Sequence, residues 1–245
     1  MIDTLLCRRQ TYLSFTVAVL LIAGCATIEQ STAPVAVEDT GPSVLDREAS
    51  QDAVRFAVIP EQSEIRVLTF RDGPMARFGH NHVITTTTMS GSVWLAENVS
   101  ESIVELTLPV AGFVVDDAAA RAAEGEGFDA DVPDKARAGT DDNMRSERLL
   151  DAEQFPFIRI KCSELASINA TTIRCAIDVK GVDHDLTLPI SVEREGNRLT
   201  ASGETSLSHA SLGLEPFTAA GGAIGVAEIM TIKYRFTAQR LSSDR

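Results

Sequence analysis

Alternation of apolar and polar residues, recurring along most of the chain, limits what this sequence can fold into. Val104, Leu106, Leu108 and Val110 alternate with Glu105, Thr107 and Pro109. Leu186, Leu188, Ile190 and Val192 alternate with Thr187, Pro189 and Ser191, and Met230, Ile232, Tyr234 and Phe236 with Thr231, Lys233 and Arg235. Similar stretches lie near 54–59, 64–70, 89–96, 157–164, 171–179 and 198–208. A period of two sends alternate side chains to opposite faces of a strand. One wet face per strand implies antiparallel strands around a single interior. The expected fold class is therefore all-β, an antiparallel barrel first and a sandwich second, because closure removes aggregation-prone edges.

Two segments break the pattern. Asp116-Asp117 followed by Ala118 to Glu124 has alanine propensity and acidic residues at its start, and it stops at Gly125 and Gly127, which predicts a short helix. Asn143 to Gln154 is expected to form a second, ending before Pro156. Between them Asp129, Asp131, Asp134, Asp141 and Asp142 are expected to form a solvated excursion. Their spacing does not match a calcium-binding EF-hand loop.

The N-terminus bears on compartment. Arg8 and Arg9 precede an apolar run from Leu13 to Ala23. That run is short for a bilayer span, which takes about 20 residues, and suits an export signal. It ends in Leu21-Ile22-Ala23-Gly24-Cys25, which resembles a bacterial lipobox, the pattern in which the cysteine is lipidated and the preceding signal is removed. The expected organisation is a signal over 1–24, a lipidated Cys25 with a Ser-, Thr-, Pro- and acid-rich tether to residue 52, and a domain over 53–240. An anchor of this kind needs no membrane-spanning segment. It would hold the domain at the periplasmic face of the cell envelope, and Ala26 is compatible with outer-membrane sorting.

The 245 residues carry a net charge of −13, and loss of two arginines and one aspartate with residues 1–24 takes it to −14. Such a charge argues against nucleic acid or anionic lipid surfaces as partners. A homodimer is left open. Cys7 would leave with the signal, so Cys162 and Cys175 remain in an oxidising compartment. A turn at Ile168-Asn169 places them directly opposite each other on one inward face, where either a cross-strand disulfide or two buried thiols would fit.

Several passages, in this order and spacing, resemble the YceI-like family of periplasmic polyisoprenoid-binding domains. They are Ser63 to Phe70 with Ala76-Arg77-Phe78-Gly79-His80-Asn81-His82-Val83-Ile84; Asn143-Met144, Leu149-Leu150-Asp151-Ala152 and Phe155-Pro156; Lys180 to Pro189; Leu212-Gly213-Leu214; and Gly225 to Ile229. The resemblance spans about 55–238, and the acidic insert at 116–142 is longer than in the simplest members. It implies a lipocalin-like antiparallel barrel with one or two short helices, holding an isoprenoid chain such as a quinone tail or polyprenyl lipid, with no other cofactor. The lining candidates are Val104, Leu106, Leu108, Ile160, Ile177, Leu186, Leu188, Ile190, Ile232, Tyr234 and Phe236, all of which would equally serve as plain core.

The histidines supply the competing class. If Gly79 to Ile84 is extended, His80 and His82 project to one side as two metal ligands would, with His184, His209 or an Asp as a third. A metal-dependent envelope enzyme would follow. Contact with a ligand head group and a structural role are the other readings. Neither a nucleophile elbow nor a phosphate-cradling loop is recognisable, so the carrier reading is the non-enzymatic one.

Overall fold

The computed structural model describes residues 48–241. Residues 1–24, Cys25 and most of the expected tether lie outside them. In chain order come β1 (Val54–Val58), β2 (Glu64–Thr69), β3 (Arg71–Asp72), β4 (His82–Thr86), β5 (Ser90–Leu95), β6 (Ile103–Pro109) and β7 (Val114–Val115). The helices α1 (Ala118–Glu124) and α2 (Asp134–Arg145) follow. The second half holds β8 (Phe157–Ser163), β9 (Thr172–Val179), β10 (Val182–Pro189), β11 (Ser191–Glu195), β12 (Arg198–Ser208), β13 (Thr218–Ala219), β14 (Ile224–Val226) and β15 (Ile229–Arg240). All strand pairings are antiparallel.

The main sheet runs β10-β9-β8-β6-β5-β1-β15-β2-β4-β7, with β12 joined to both β15 and β11. The hydrogen-bonded ladder is not closed. Instead the chain itself completes the turn of the sheet: β10, paired to β9, continues through Ile190 into β11, which is paired to β12. At this seam Gly203 is required. A Cβ there would lie 2.4 Å from the Pro189 carbonyl oxygen and 2.5 Å from the Tyr234 hydroxyl, which donates to that same oxygen. The result is a lipocalin-like antiparallel barrel with two long paired strands, β12 and β15.

β15 pairs with β12 along its whole length and divides its other edge between β1 and β2. The division falls where Pro60–Gln62 makes a single tight turn and the Ser63 hydroxyl oxygen accepts the Thr237 N–H. The register gathers the hairpins around 96–102, 164–171 and 196–197 at one end of the barrel, opposite the end where Arg145 of α2 bonds Val110 and Phe113 after β6. These are called the hairpin end and the helical end below.

The first helix starts as the sequence suggests, with the Asp117 side chain accepting the Ala120 N–H. The second does not. It covers Asp134–Arg145 rather than Asn143 to Gln154, so the acidic stretch is largely helical. Pro133 precedes its first residue and Asp134 favours the first turn electrostatically. Residues 146–154 form turns instead, with Asp151 in the left-handed region at φ 47°. Asp129, Asp131, Asp134 and Asp142 are exposed, and Asp141 pairs with Arg145 at 2.8 Å.

Candidate functional site

The inward faces of the barrel strands do not fill the barrel. They enclose a cavity of about 260 Å³. Val104, Leu106 and Leu108 on β6, Ile160 on β8 and Ile177 on β9 stand on its wall. Leu188 on β10, Ile190 at the seam and Ile232, Tyr234 and Phe236 on β15 do so too. Leu186 is the exception among the expected lining residues: it packs against the surrounding apolar core, in register with Cys175, and does not reach the wall. Cys162 and Cys175 are opposite each other in the β8–β9 ladder, joined as a disulfide, and also on the wall.

The helical end is capped by side chains that follow no strand period. Phe113, Met144, Leu149, Leu150, Leu212 and Leu214 close over the cavity there. Arg145 holds this cap down, donating to the backbone carbonyls of Val110 and Phe113, each at 2.8 Å. Sequence reasoning missed these residues because they lie on loops and a helix end. Their signal was present only as the short passages Asn143-Met144, Leu149-Leu150 and Leu212-Gly213-Leu214.

Polar atoms on the wall are few. The Ser102 hydroxyl oxygen accepts the Ala96 N–H at 3.1 Å near the hairpin end. The Tyr234 hydroxyl is spent on the Pro189 carbonyl, and burial pushes its pKa up to about 12. Thr69, Thr205 and His209 complete the set. His209 is 4% exposed, and its Nδ1 lies 2.9 Å from the Glu228 carbonyl oxygen.

His80 and His82 lie off the cavity wall, at the helical end, where His82 opens β4 opposite Thr69 and His80 precedes the strand. The His82 Nδ1 is 2.6 Å from Asp116 Oδ2. Asp116 is 1% exposed, sits in the left-handed region at φ 55°, and accepts also from the Val83 N–H and from Arg121 Nη1 at 2.6 Å. Burial alone would raise its pKa, but the hydrogen bonds from His82, Val83 and Arg121 outweigh it and hold the carboxyl below its ordinary range. Arg121 continues the network to the carbonyls of Asn81 and Ala130, while the Asn81 side-chain amide donates to Gly127 O. Beneath α1 a second apolar cluster gathers Leu68, Val83, Ala120 and Phe128. Glu124, at the end of α1, bridges Arg66 and Lys233, which are cross-strand neighbours. The His80-Asn81-His82 segment thus fastens the insert to the barrel.

His82 Nε2 is 3.4 Å from the Thr140 hydroxyl, which superficially completes a hydroxyl–imidazole–carboxylate line. That hydroxyl donates to the Ala136 carbonyl at 3.1 Å, so its proton is not directed to the imidazole. The rings of His80 and His82 are 6.3 Å apart. His184 lies against Gly213, and His209 is bonded to Glu228. Among the described residues no group of three or more His, Cys, Asp or Glu side chains is placed to hold a metal ion. No helix of the described residues is long and apolar enough to cross a membrane.

An antiparallel barrel with an apolar interior and a helical cap suits many small-ligand proteins, and comparison with known proteins narrows it. The model of the YceI-like domain matches residues 56–238, the whole barrel with its insert. The chain belongs to the YceI-like domain family. Among solved structures it is similar to BcnA from Burkholderia cenocepacia, at 15% identity and a TM-score of 0.53, covering 74% of this chain and 99% of that one. It is also similar to a polyisoprenoid binding domain from Saccharophagus degradans, at 10% identity and a TM-score of 0.52, covering 77% of this chain and 99% of that one. At these identities the likeness shows a shared fold. No curated protein matches the chain.

Proposed function

We propose that this YceI-like protein binds or carries an isoprenoid-type apolar lipid, a quinone tail or polyprenyl chain, inside its barrel. The carrying observation is the cavity of about 260 Å³, whose wall is almost entirely aliphatic and aromatic. Support also comes from the similar Saccharophagus degradans domain, which is described as polyisoprenoid binding. Burial energetics allow it. Fifteen buried carbons, three isoprene units, contribute roughly 12 kcal/mol at about 0.8 kcal/mol each. Association costs are of the same order, roughly 4–15 kcal/mol. The function is therefore burial and release, without covalent chemistry.

The same proposal places the domain at the periplasmic face of the envelope, held through a lipid on Cys25 with the outer membrane as the membrane concerned. Its support is the lipobox-like Leu21-Ile22-Ala23-Gly24-Cys25, with small Ala23 and Gly24 directly before the cysteine, and Ala26 after it. Incorporation of labelled palmitate, lost in Cys25→Ala, is the expected result, and palmitate-free protein would remove the anchor.

Native mass spectrometry with lipid extraction tests the binding function. A co-purified prenyl lipid is expected. Stoichiometric zinc with no lipid would replace this reading by the metal-dependent one.

A further inference from the structure

The polar side chains of the cavity wall gather mostly at one end. At the hairpin end the Ser102 hydroxyl oxygen accepts the Ala96 N–H and keeps its own proton to donate, and around it stand Leu95, Leu165 and Ile168. At the helical end lie Thr69, the last residue of β2, and His209, which directly follows β12. Thr205 stands on β12 four residues before that histidine.

His209 is the informative member. A carbonyl oxygen can only accept, so the contact with Glu228 O makes Nδ1 the donor and fixes the tautomer. With the proton on Nδ1, the neutral form of the ring presents Nε2 as an acceptor. It has no hydrogen-bond partner among the described residues, although the residue is 4% exposed. It is also not one of the buried polar atoms left unsatisfied, of which Asp178 Oδ1 is the single case among the described residues. The ring nitrogen therefore reaches open space, and His209 borders the cavity. An acceptor in an apolar wall is costly to leave unpaired against an apolar guest, and it favours a guest that brings a donor.

We propose that the cavity binds its guest in one direction, a terminal hydroxyl donating to His209 Nε2 at the helical end and the isoprenoid tail running toward the Cys162–Cys175 disulfide. This rests on the isoprenoid reading above and sharpens it: the ligand class becomes alcohols and hydroquinols with prenyl tails, in preference to ethers and hydrocarbons of the same length. The Thr69 and Thr205 hydroxyls, also without a hydrogen-bond partner among the described residues, make the same end the wet one.

The test titrates the delipidated full chain with farnesol and with farnesyl methyl ether, which differ in the hydroxyl proton. Farnesol is expected to bind roughly tenfold more tightly, the size of one well-formed hydrogen bond. In His209→Leu that ratio is expected to fall to about one through loss of farnesol affinity. The nitrogen NMR signal of the His209 ring in the unmodified protein should move with farnesol and not with the ether, a response that a merely structural histidine would not give. Equal binding of both probes, with an unmoved ring signal, overturns the orientation while leaving isoprenoid binding intact. Absence of binding by either probe overturns both.

Discussion

Two faces of the same strands carry opposite chemistry. On β2 and β4, Val67 and Ile84 look into the cavity, while Leu68 and Val83 look outward to the cluster beneath α1. Inside, almost nothing polar is present and space is left unfilled. Where the insert meets these strands, buried carboxylates are each answered: Asp116 by His82, Arg121 and Val83, and Glu124 by Arg66 and Lys233. The contrast separates two tasks. The network holds an acidic insert whose continuation, α2, supplies the cavity's cap; the interior keeps an apolar cavity.

Breaking the outer network should cost most. Asp116→Asn keeps a side chain tolerant of the left-handed backbone but removes the charge opposite buried Arg121. A loss of about 3–5 kcal/mol in unfolding free energy is expected from denaturant titration, since one partner of a buried pair is left uncompensated. Next comes the cavity side. Replacing both Cys162 and Cys175 by serine opens a crosslink between residues 13 apart and should cost about 3 kcal/mol, measured in the same way. A smaller effect of about 2–3 kcal/mol is expected for Leu106→Ala, because the enlarged space adjoins one already present.

The network also carries a pH signature in the acid range, whereas the interior's Tyr234 is shifted at the alkaline end. Asp116 and Glu124 are held below their ordinary values of 3.8 and 4.5. For Glu124 burial acts upward and the bonds from Lys233 and Arg66 act downward and win. Depressed carboxylates contribute stability that is fully present above their unfolded values and lost as pH falls through the folded ones. Unfolding free energy should therefore be level from neutral pH to about 5 and decline below about 4, and Asp116→Asn should flatten the decline. The smallest expected change is that of Lys233→Ala: this partly exposed ion pair is worth at most about 1 kcal/mol.

What the sequence made legible follows from which physics is local. Alternation on β6, β10 and β15 is a property of consecutive residues, so the strands and their inward rows stood out, and the midpoint turn gave the Cys162–Cys175 register. Leu186 shows the limit: alternation says which side a residue faces, not whether the space it faces is filled. The start of α2 after Pro133 was hidden because Ala136, Gly139 and Thr140 carry no apolar stripe, while Leu149-Leu150 drew attention to residues that form turns. The Asp116–His82–Arg121 knot and the tautomer of His209 depend on chain segments distant in sequence, so no spacing announces them.

The central claim is that the cavity inside the barrel takes a prenyl chain. Calorimetric titration of the delipidated chain with farnesol, alongside Ala201→Phe, tests it most directly, because Ala201 stands on the cavity wall and a phenyl ring there occupies the space. Saturable binding at one site per chain, lost in the folded variant, is the predicted result. Farnesol binding equally well to Ala201→Phe, or not at all to the unmodified protein, would contradict it.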